Sequence, residues 1–192
     1  MTNKSRRRIT TVLLVFSLAV LPADGAQIEG VLFDDTVQID QTRFYLQGTA
    51  LLRYLVVFKG YVGAFYLPEN IDPRRALADV PRHLVLEYFH AIKASQFAKA
   101  TRLTIAENLT AEERKRLAPA IDRLAGAYRD VTPQDRYALT YFPGQGTRLT
   151  LNDKTLMVIP GADFSRAVFS IWIGPHPIDT AFRDRVLGID GR

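Results

Sequence analysis

Short apolar runs, separated by turn residues, fill the first half of the chain. Such runs, alternating or rich in Val, Leu, Tyr and Phe, are typical of β-strands. The strands predicted in this half are residues 31–33, 37–39, 44–46, 51–58, 61–67 and 82–89. Asp34-Asp35 and Asp40-Gln41 separate the first three into a meander. Lys59-Gly60 predicts a hairpin between the fourth and the fifth.

The middle of the chain changes to helical spacing. Ser95 is a candidate N-cap for a helix that runs to about Asn108. Thr110 and Glu113 have the spacing of a capping box at the start of a second helix. Pro119 lies inside that second pattern and is expected to kink or split the helix. One apolar stripe of the second helix consists of Leu117, Ile121, Leu124 and Tyr128.

Strands return in the last third of the chain and are followed by helices. The predicted strands are residues 136–142, 147–151 and 155–159, joined by turn residues at 143–146 and 152–153. A helix is predicted to start at 161–163 and to end before Pro175, and Asp179 is predicted to cap a last short helix. This order predicts an α+β domain, in which helices pack on one face of an antiparallel sheet.

The N-terminus has the pattern of a signal peptide. Residues 9–21 form an uncharged run of 13 residues, which is shorter than the roughly 20 residues that a membrane-spanning helix needs. Four basic residues precede this run, and Pro22 and small residues follow it. We therefore expect residues 1–25 to be a signal peptide cleaved near Gly25 or Ala26, and residues 26–192 to be a periplasmic domain. The alternative is an uncleaved N-terminal anchor.

Length and composition narrow the function classes. The chain has 192 residues, 47% of them hydrophobic and 23% charged, which suits one globular domain. The absence of cysteine excludes disulfides, thiolate metal sites and cysteine nucleophiles. Four basic residues and Asp24 give residues 1–25 a net charge of +3, so only +2 of the total +5 belongs to residues 26–192. The excess of basic over acidic residues therefore gives no argument for nucleic-acid binding.

Standard catalytic motifs are absent from the sequence. There is no P-loop, no Gly-x-Ser-x-Gly and no His-Glu-x-x-His. The three histidines, His83, His90 and His176, are far apart, so we predict no metal site. Gly144-Gln145-Gly146 lies between two predicted strands rather than before a helix, which favours a hairpin turn over a phosphate loop.

Arg53 is the most informative charged residue because it lies in the apolar run 51–58. With a period of two, its side chain shares a face with those of Leu51, Leu55 and Val57. A buried guanidinium needs an acceptor, since leaving it unpaired costs several kcal/mol or more. That acceptor is either an anionic ligand, such as a carboxylate or phenolate, or an internal acid such as Glu87 or Asp163. Both alternatives stay open at this point.

Several segments together resemble bacterial chalcone isomerase-like proteins. The resemblance covers about residues 40–190, and its motifs are 48–53, 58–68, 141–147, 159–164, 171–174 and 186–188. The family implies an open-faced β-sandwich, in which a layer of helices covers a large antiparallel sheet and a ligand cleft lies between them. It includes plant chalcone isomerases and fatty-acid-binding relatives without that activity.

The resemblance also implies site residues. Arg53 matches the arginine that faces the anionic part of the ligand, and Tyr61 matches a position that is tyrosine in the fatty-acid-binding relatives. Phe97 and Thr104 align with the catalytic tyrosine and asparagine of the plant enzymes. The resemblance therefore implies Arg53, Tyr61, Phe97 and Thr104 as ligand-binding residues, with no catalytic residue, cofactor or metal.

These observations favour an exported, non-catalytic protein that binds a small hydrophobic or amphipathic carboxylate such as a fatty acid. One alternative is an isomerase, acting as an intramolecular lyase on a phenolic or unsaturated substrate. The other is a structural or interaction protein of the envelope, with a collapsed pocket and an internally paired Arg53.

Overall fold

The computed structural model describes residues 25–54 and 58–190, so the predicted signal peptide lies almost wholly outside the described residues. The strands are β1 Gly25–Ile28, β2 Val31–Asp34, β3 Thr36–Ile39, β4 Thr42–Tyr54, β5 Phe58–Pro68, β6 Arg82–Tyr88, β7 Arg136–Phe142, β8 Gly146–Leu151 and β9 Lys154–Ile159. The helices are α1 Ala94–Glu107, α2 Ala111–Ala127, α3 Ala162–Ile173 and α4 Thr180–Val186. In the part of the chain described, no helix combines the length and the hydropathy needed to cross a membrane.

Seven strands form one antiparallel sheet in the order β3-β4-β5-β6-β7-β8-β9. Within this sheet each strand pairs with the next strand along the chain, as is common for strands that follow one another in sequence. Together with the four α-helices found among the described residues, the sheet makes an α+β domain, as the order of elements predicted.

Two local predictions for the sheet are wrong. β2 pairs with β1 in a separate two-stranded sheet rather than with β3 in a meander. The hairpin joint is not at Lys59-Gly60, since both residues lie inside β5, which starts at Phe58. Gly60 is the extra residue of a β-bulge there, because Leu52 pairs with Tyr61 while Arg53 pairs with Lys59. A bulge of one residue leaves no clear mark in a hydrophobic pattern.

The helix starts follow local hydrogen bonding. The capping box of α2 is confirmed, because the Glu113 amide donates to Thr110 Oγ1 at 3.2 Å and the Thr110 amide donates to Glu113 Oε2 at 2.9 Å. The N-cap of α1 is Lys93 rather than Ser95. A residue outside the helix holds its first turn, since the Ala94 amide donates to Asp130 Oδ1 at 2.9 Å. α2 runs without interruption through Pro119, so this proline does not split it.

The sheet separates two hydrophobic cores. Alternate residues of β5 divide between them: Tyr61, Phe65 and Leu67 pack with the helices, whereas Val62, Ala64 and Tyr66 face the other way. The second face is covered in part by β1 and β2, which bury Val31 and Phe33 against Phe44 and its neighbours. The larger core, under the helices, is where a ligand cavity has room to form.

Gly48 of β4 is the contact point for α4, and its replacement should be costly. A Cβ atom at residue 48 would overlap the carbonyl oxygen of Arg185, a backbone atom that cannot move independently. We expect Gly48→Ala to lower the free energy of unfolding by about 2–3 kcal/mol, as overpacking does. The matched control is Gly126→Ala in α2, where a Cβ meets nothing within 4 Å. That change should stabilise the protein by about 0.5–1 kcal/mol. Equal urea midpoints for the two variants would contradict this packing.

His83 lies on the second face of the sheet and makes the free energy of unfolding depend on pH. Its Nδ1 lies 2.8 Å from Thr140 Oγ1. Burial, with Arg148 nearby, lowers the pKa of His83 from 6.5 to about 3. As the pH falls, His83 therefore takes up a proton in the unfolded chain at a higher pH than in the folded protein. The stabilisation that neutral His83 gives above pH 6.5 is lost as the pH falls towards 3.

We expect this histidine to lower the free energy of unfolding by up to about 1.4 kcal/mol for each pH unit. His83→Asn keeps an amide near Thr140 and removes the titration, so its urea stability should fall less steeply over that range. Carboxylates titrate equally in both proteins below pH 4.5. Parallel stability curves for the two proteins between pH 6.5 and 4.5 would refute this role of His83.

Candidate functional site

A cavity of about 900 Å³ lies between the helix-covered face of the sheet and helices α1 and α3. This volume lies within the roughly 300–1,000 Å³ typical of small-molecule sites. Its floor is formed by alternate residues of the central strands, and its walls by α1, α3 and the segment before α4. Side chains on the floor include Leu52, Leu84, Leu86, Leu139 and Leu149.

The strand register gives the cavity a direction. Tyr61 pairs with Tyr88 near the end of the β5–β6 ladder, next to Lys59 and Gly60. Leu84 also lines the cavity but lies four residues further along β6, which corresponds to about 13 Å at the rise of a strand. One end is therefore polar, and the interior beyond it is lined by leucines.

Tyr61 is the best placed polar group of this end. Its hydroxyl accepts a hydrogen bond from Trp172 Nε1 at 2.9 Å, and its ring packs edge-on against Tyr88, with 5.4 Å between centroids. Burial raises the pKa of Tyr61 and that of Tyr88, so both phenols stay protonated at neutral pH. Since the bond from Trp172 uses only a lone pair, the hydroxyl proton of Tyr61 is available to an acceptor in the cavity.

Phe97 of α1 closes one wall of the cavity. Its ring centroid lies 5.2 Å from that of Tyr88, 5.3 Å from that of Tyr137 and 5.5 Å from that of Tyr128. The hydroxyl of Tyr128 is engaged with Thr101 Oγ1 at 2.9 Å, and that of Tyr137 with backbone atoms of Arg129. Phe97 therefore contributes an apolar surface to an aromatic wall.

Thr104 lies on α1 seven residues after Phe97 and lines the same cavity. Asn108 donates to the Thr104 carbonyl oxygen at 3.1 Å and to the His176 carbonyl oxygen at 2.7 Å. These two bonds tie the end of α1 to the segment before α4, and so fix the wall that carries Thr104. Three of the four predicted site residues, Tyr61, Phe97 and Thr104, therefore lie together around one cavity.

The cationic side chains that line the cavity are those of Lys59 and Lys99, and the lining also includes His90. No Asp or Glu of the described segments lines it. Lys59 also contacts Glu29, with Nζ 2.6 Å from Oε2. The described residues contain no group of three or more His, Cys, Asp or Glu side chains that could hold a metal ion. Asp179 lies outside the lining but close enough to Tyr61 to help raise the pKa of its phenol. Among the groups that line the cavity, Lys59 and Lys99 favour an anionic molecule.

Arg53 does not lie in this cavity, which corrects the expectation that it faces an enclosed ligand. Its side chain is 46% exposed and its Nη2 lies 3.5 Å from Oε1 of Glu29, in the β1–β2 turn. It shares a face with Leu51, as expected, but Leu51 packs into the second core, on the side away from the helices. The two internal acids considered for it bind elsewhere, Glu87 to Arg136 and Asp163 to Arg116.

Arg82, which is not among the predicted site residues, is the buried arginine of the helix-covered face. It is 0% exposed and donates to the carbonyl oxygens of Ala76 and Ala78 and to Ser165 Oγ, each at 2.6 Å. It also lies over the rings of Tyr141 and Phe169. The signal was present, because a period of two places Arg82 on one face with Leu84, Leu86 and Tyr88.

A curled antiparallel sheet lies under helices, and an apolar cavity lies between the two layers. Cavities of this kind are typical of proteins that bind small molecules. A family model described as chalcone isomerase-like matches residues 25–188. The chain belongs to the chalcone isomerase-like family, which confirms the resemblance.

The similar solved structures include the fatty-acid binding protein AtFAP1 of Arabidopsis thaliana. The match has a TM-score of 0.68 at 13% sequence identity and covers 86% of this chain and 96% of that chain. At this identity the similarity shows the fold, and it confirms the predicted open-faced sandwich of sheet and helices. A search of curated protein sequences gave no match.

Proposed function

We propose that this protein binds one small amphipathic carboxylate, such as a fatty acid, in the cavity between sheet and helices, without chemical conversion. The observation that carries the proposal is the 900 Å³ cavity, with its leucine-lined interior and its polar end at Tyr61. The fold shared with a fatty-acid binding protein supports it.

The apolar interior suits the hydrocarbon tail. Moving a chain from water into such a cavity gains about 0.8 kcal/mol for each buried methylene. Leu84, Leu139 and Leu149 offer this surface, and the aromatic wall around Phe97 extends it. The open volume argues against the alternative of a collapsed pocket in a purely structural protein.

The polar end suits the carboxylate. A carboxylate left unpaired in the leucine-lined interior would lose several kcal/mol of hydration free energy. At the other end the Tyr61 hydroxyl can donate to it, and Lys99 is a cation in the lining of the same cavity. We therefore place the headgroup at Tyr61, with Phe97 and Thr104 against the first part of the tail. Arg53 takes no part, because it lies on the other side of the sheet.

The arrangement of residues also bears on catalysis. Cyclising a phenolic substrate requires groups that orient it, and removing such groups commonly costs factors of 10² or more in rate. Phe97 offers no hydroxyl, and the Arg53 guanidinium is outside the cavity. These features support binding over the isomerase alternative. We also propose that the protein is exported to the periplasm, on the basis of the basic and apolar pattern of residues 1–25.

The test uses the single tryptophan of the chain. Trp172 lines the cavity and bonds to Tyr61, so its fluorescence should report an occupied site. Titration with palmitate should change this fluorescence and saturate at one ligand per chain. 1-Hexadecanol, which has the same tail and no charge, should bind more weakly. No saturable change with palmitate would refute the proposal.

Tyr61→Phe should weaken palmitate binding roughly tenfold or more, because a hydrogen bond to a charged group contributes about 1.5–3 kcal/mol. The hexadecanol affinity should change less. Tyr45→Phe, a tyrosine outside the cavity lining, is the matched control and should bind like the unaltered protein. Equal palmitate affinities for Tyr61→Phe and Tyr45→Phe would place the headgroup elsewhere.

A further inference from the structure

Exposed apolar side chains gather at the mouth of the cavity. Among the described residues, three of the five exposed large hydrophobic side chains line the cavity: Phe58 at 57% exposure, Leu103 at 60% and Ile178 at 42%. They come from three separate parts of the chain, which are the start of β5, helix α1 and the segment before α4. Single exposed apolar residues are ordinary, but a group around one opening marks an interaction surface.

Cations accompany these apolar side chains. We call the set of Phe58, Leu103, Ile178, Lys59, Lys99 and His90 the rim. Lys99 precedes Leu103 by one helical turn on α1 and has no ion pair within the described residues. Lys59 is paired with Glu29, with Nζ 2.6 Å from Oε2, so Lys99 carries the rim's positive charge that is free to meet an anion. Apolar side chains next to lysines are typical of surfaces that lie on lipid headgroups.

We infer that the rim docks onto the anionic surface of a lipid bilayer and that the ligand enters and leaves the cavity there. The inference rests on the proposed lipid ligand. Phe58, Leu103 and Ile178 would enter the boundary between headgroups and acyl chains, while Lys99 pairs with anionic headgroups. With the mouth in that position, a hydrocarbon tail passes between bilayer and cavity without crossing water.

The charge of the rim favours an anionic bilayer over a second copy of the chain as the partner of this apolar patch. A two-fold contact between the rims of two copies would bring Lys99 of one copy towards Lys99 of the other, which disfavours self-association through the rim. An anionic bilayer satisfies both the apolar and the cationic part of the rim.

The experiment measures how much of the purified full chain sediments with vesicles of phosphatidylglycerol and with vesicles of phosphatidylcholine. Binding to phosphatidylglycerol should be several-fold stronger and should weaken with salt. The double variant Phe58→Ser/Leu103→Ser should bind about tenfold more weakly, and Lys99→Gln about fivefold. Residues 1–24 are the same in every variant, so differences between variants report the rim.

Two exposed apolar residues outside the cavity lining provide matched controls. Leu32 is 44% exposed and Val158 is 43% exposed. Leu32→Ser and Val158→Ser should sediment like the unaltered protein. Equal losses in these controls and in the rim variants would overturn the inference, as would equal binding to both lipids.

If the rim serves self-association, analytical ultracentrifugation should show a dimer that the rim variants dissociate. This result would also overturn the inference.

Palmitate titration of the unaltered protein separates the two proposals. If it saturates while no vesicle binding is seen, the docking surface is refuted and the ligand proposal stands.

Discussion

Thr104→Trp should weaken palmitate binding by about tenfold to a hundredfold. Thr104 lines the cavity from α1, and an indole at this position would occupy space that the ligand tail needs. Forcing a side chain and a ligand into one space costs about 1–3 kcal/mol, which corresponds to this loss of affinity. Calorimetric titration is the suitable measurement, because the new tryptophan would obscure the fluorescence of Trp172.

The matched control is Glu107→Trp, on the same helix but exposed and outside the cavity lining. It adds the same side chain and should leave the affinity unchanged. Urea unfolding of both variants checks that they are folded. If folded Thr104→Trp binds palmitate as tightly as the control, the ligand does not occupy this cavity.

Arg82→Ala should lower the free energy of unfolding by about 3–5 kcal/mol, because it removes buried hydrogen bonds from a charged group, each of which contributes about 1.5–3 kcal/mol. The change removes three hydrogen bonds and leaves the carbonyl oxygens of Ala76 and Ala78 without their donor. It also removes the cation from between two rings. Burial lowers the pKa of Arg82 to about 10, so the guanidinium is still charged at neutral pH.

Arg102→Ala is the control for this prediction, because Arg102 also pairs with an acid, Asp122, but at the surface. Exposed ion pairs contribute about 0–1 kcal/mol, so the control should shift the urea midpoint only slightly. Similar losses in the two variants would mean that the buried network contributes no more than a surface pair.

Much of the fold could be predicted from the sequence, because its signals are local. The capping box at Thr110 and Glu113, and the cap at Asp179, each rest on residues within one turn, and both are present. The near-continuous apolar runs of β5 and β6 likewise reflect burial on both faces of one sheet. The order of strands and helices then allowed few architectures.

What local patterns miss are features fixed by distant partners. The start of α1 at Lys93 depends on Asp130, which is 36 residues away from Ala94 in the chain. The bulge at Gly60 depends on how β4 and β5 pair, and the placement of β1 and β2 depends on the second face of the sheet. None of these leaves a periodic mark in the sequence.

The candidate site shows the same division. Tyr61, Phe97 and Thr104 were found through family resemblance and lie around one cavity. Arg53 was judged by its apolar neighbours, but a period of two says which residues share a face and not which face carries the cavity. Lys99 was not singled out, because an exposed lysine on a helix is ordinary in a sequence, and His90 was considered only as a metal ligand.

The central claim is that the cavity holds an amphipathic carboxylate, and native mass spectrometry of the protein recovered from its own cells tests it most directly. Gentle ionisation should show one additional mass per chain, and extraction should identify that mass as a fatty acid or related carboxylate. A bare chain mass, together with no saturable binding of any fatty acid offered to the purified protein, would contradict the claim.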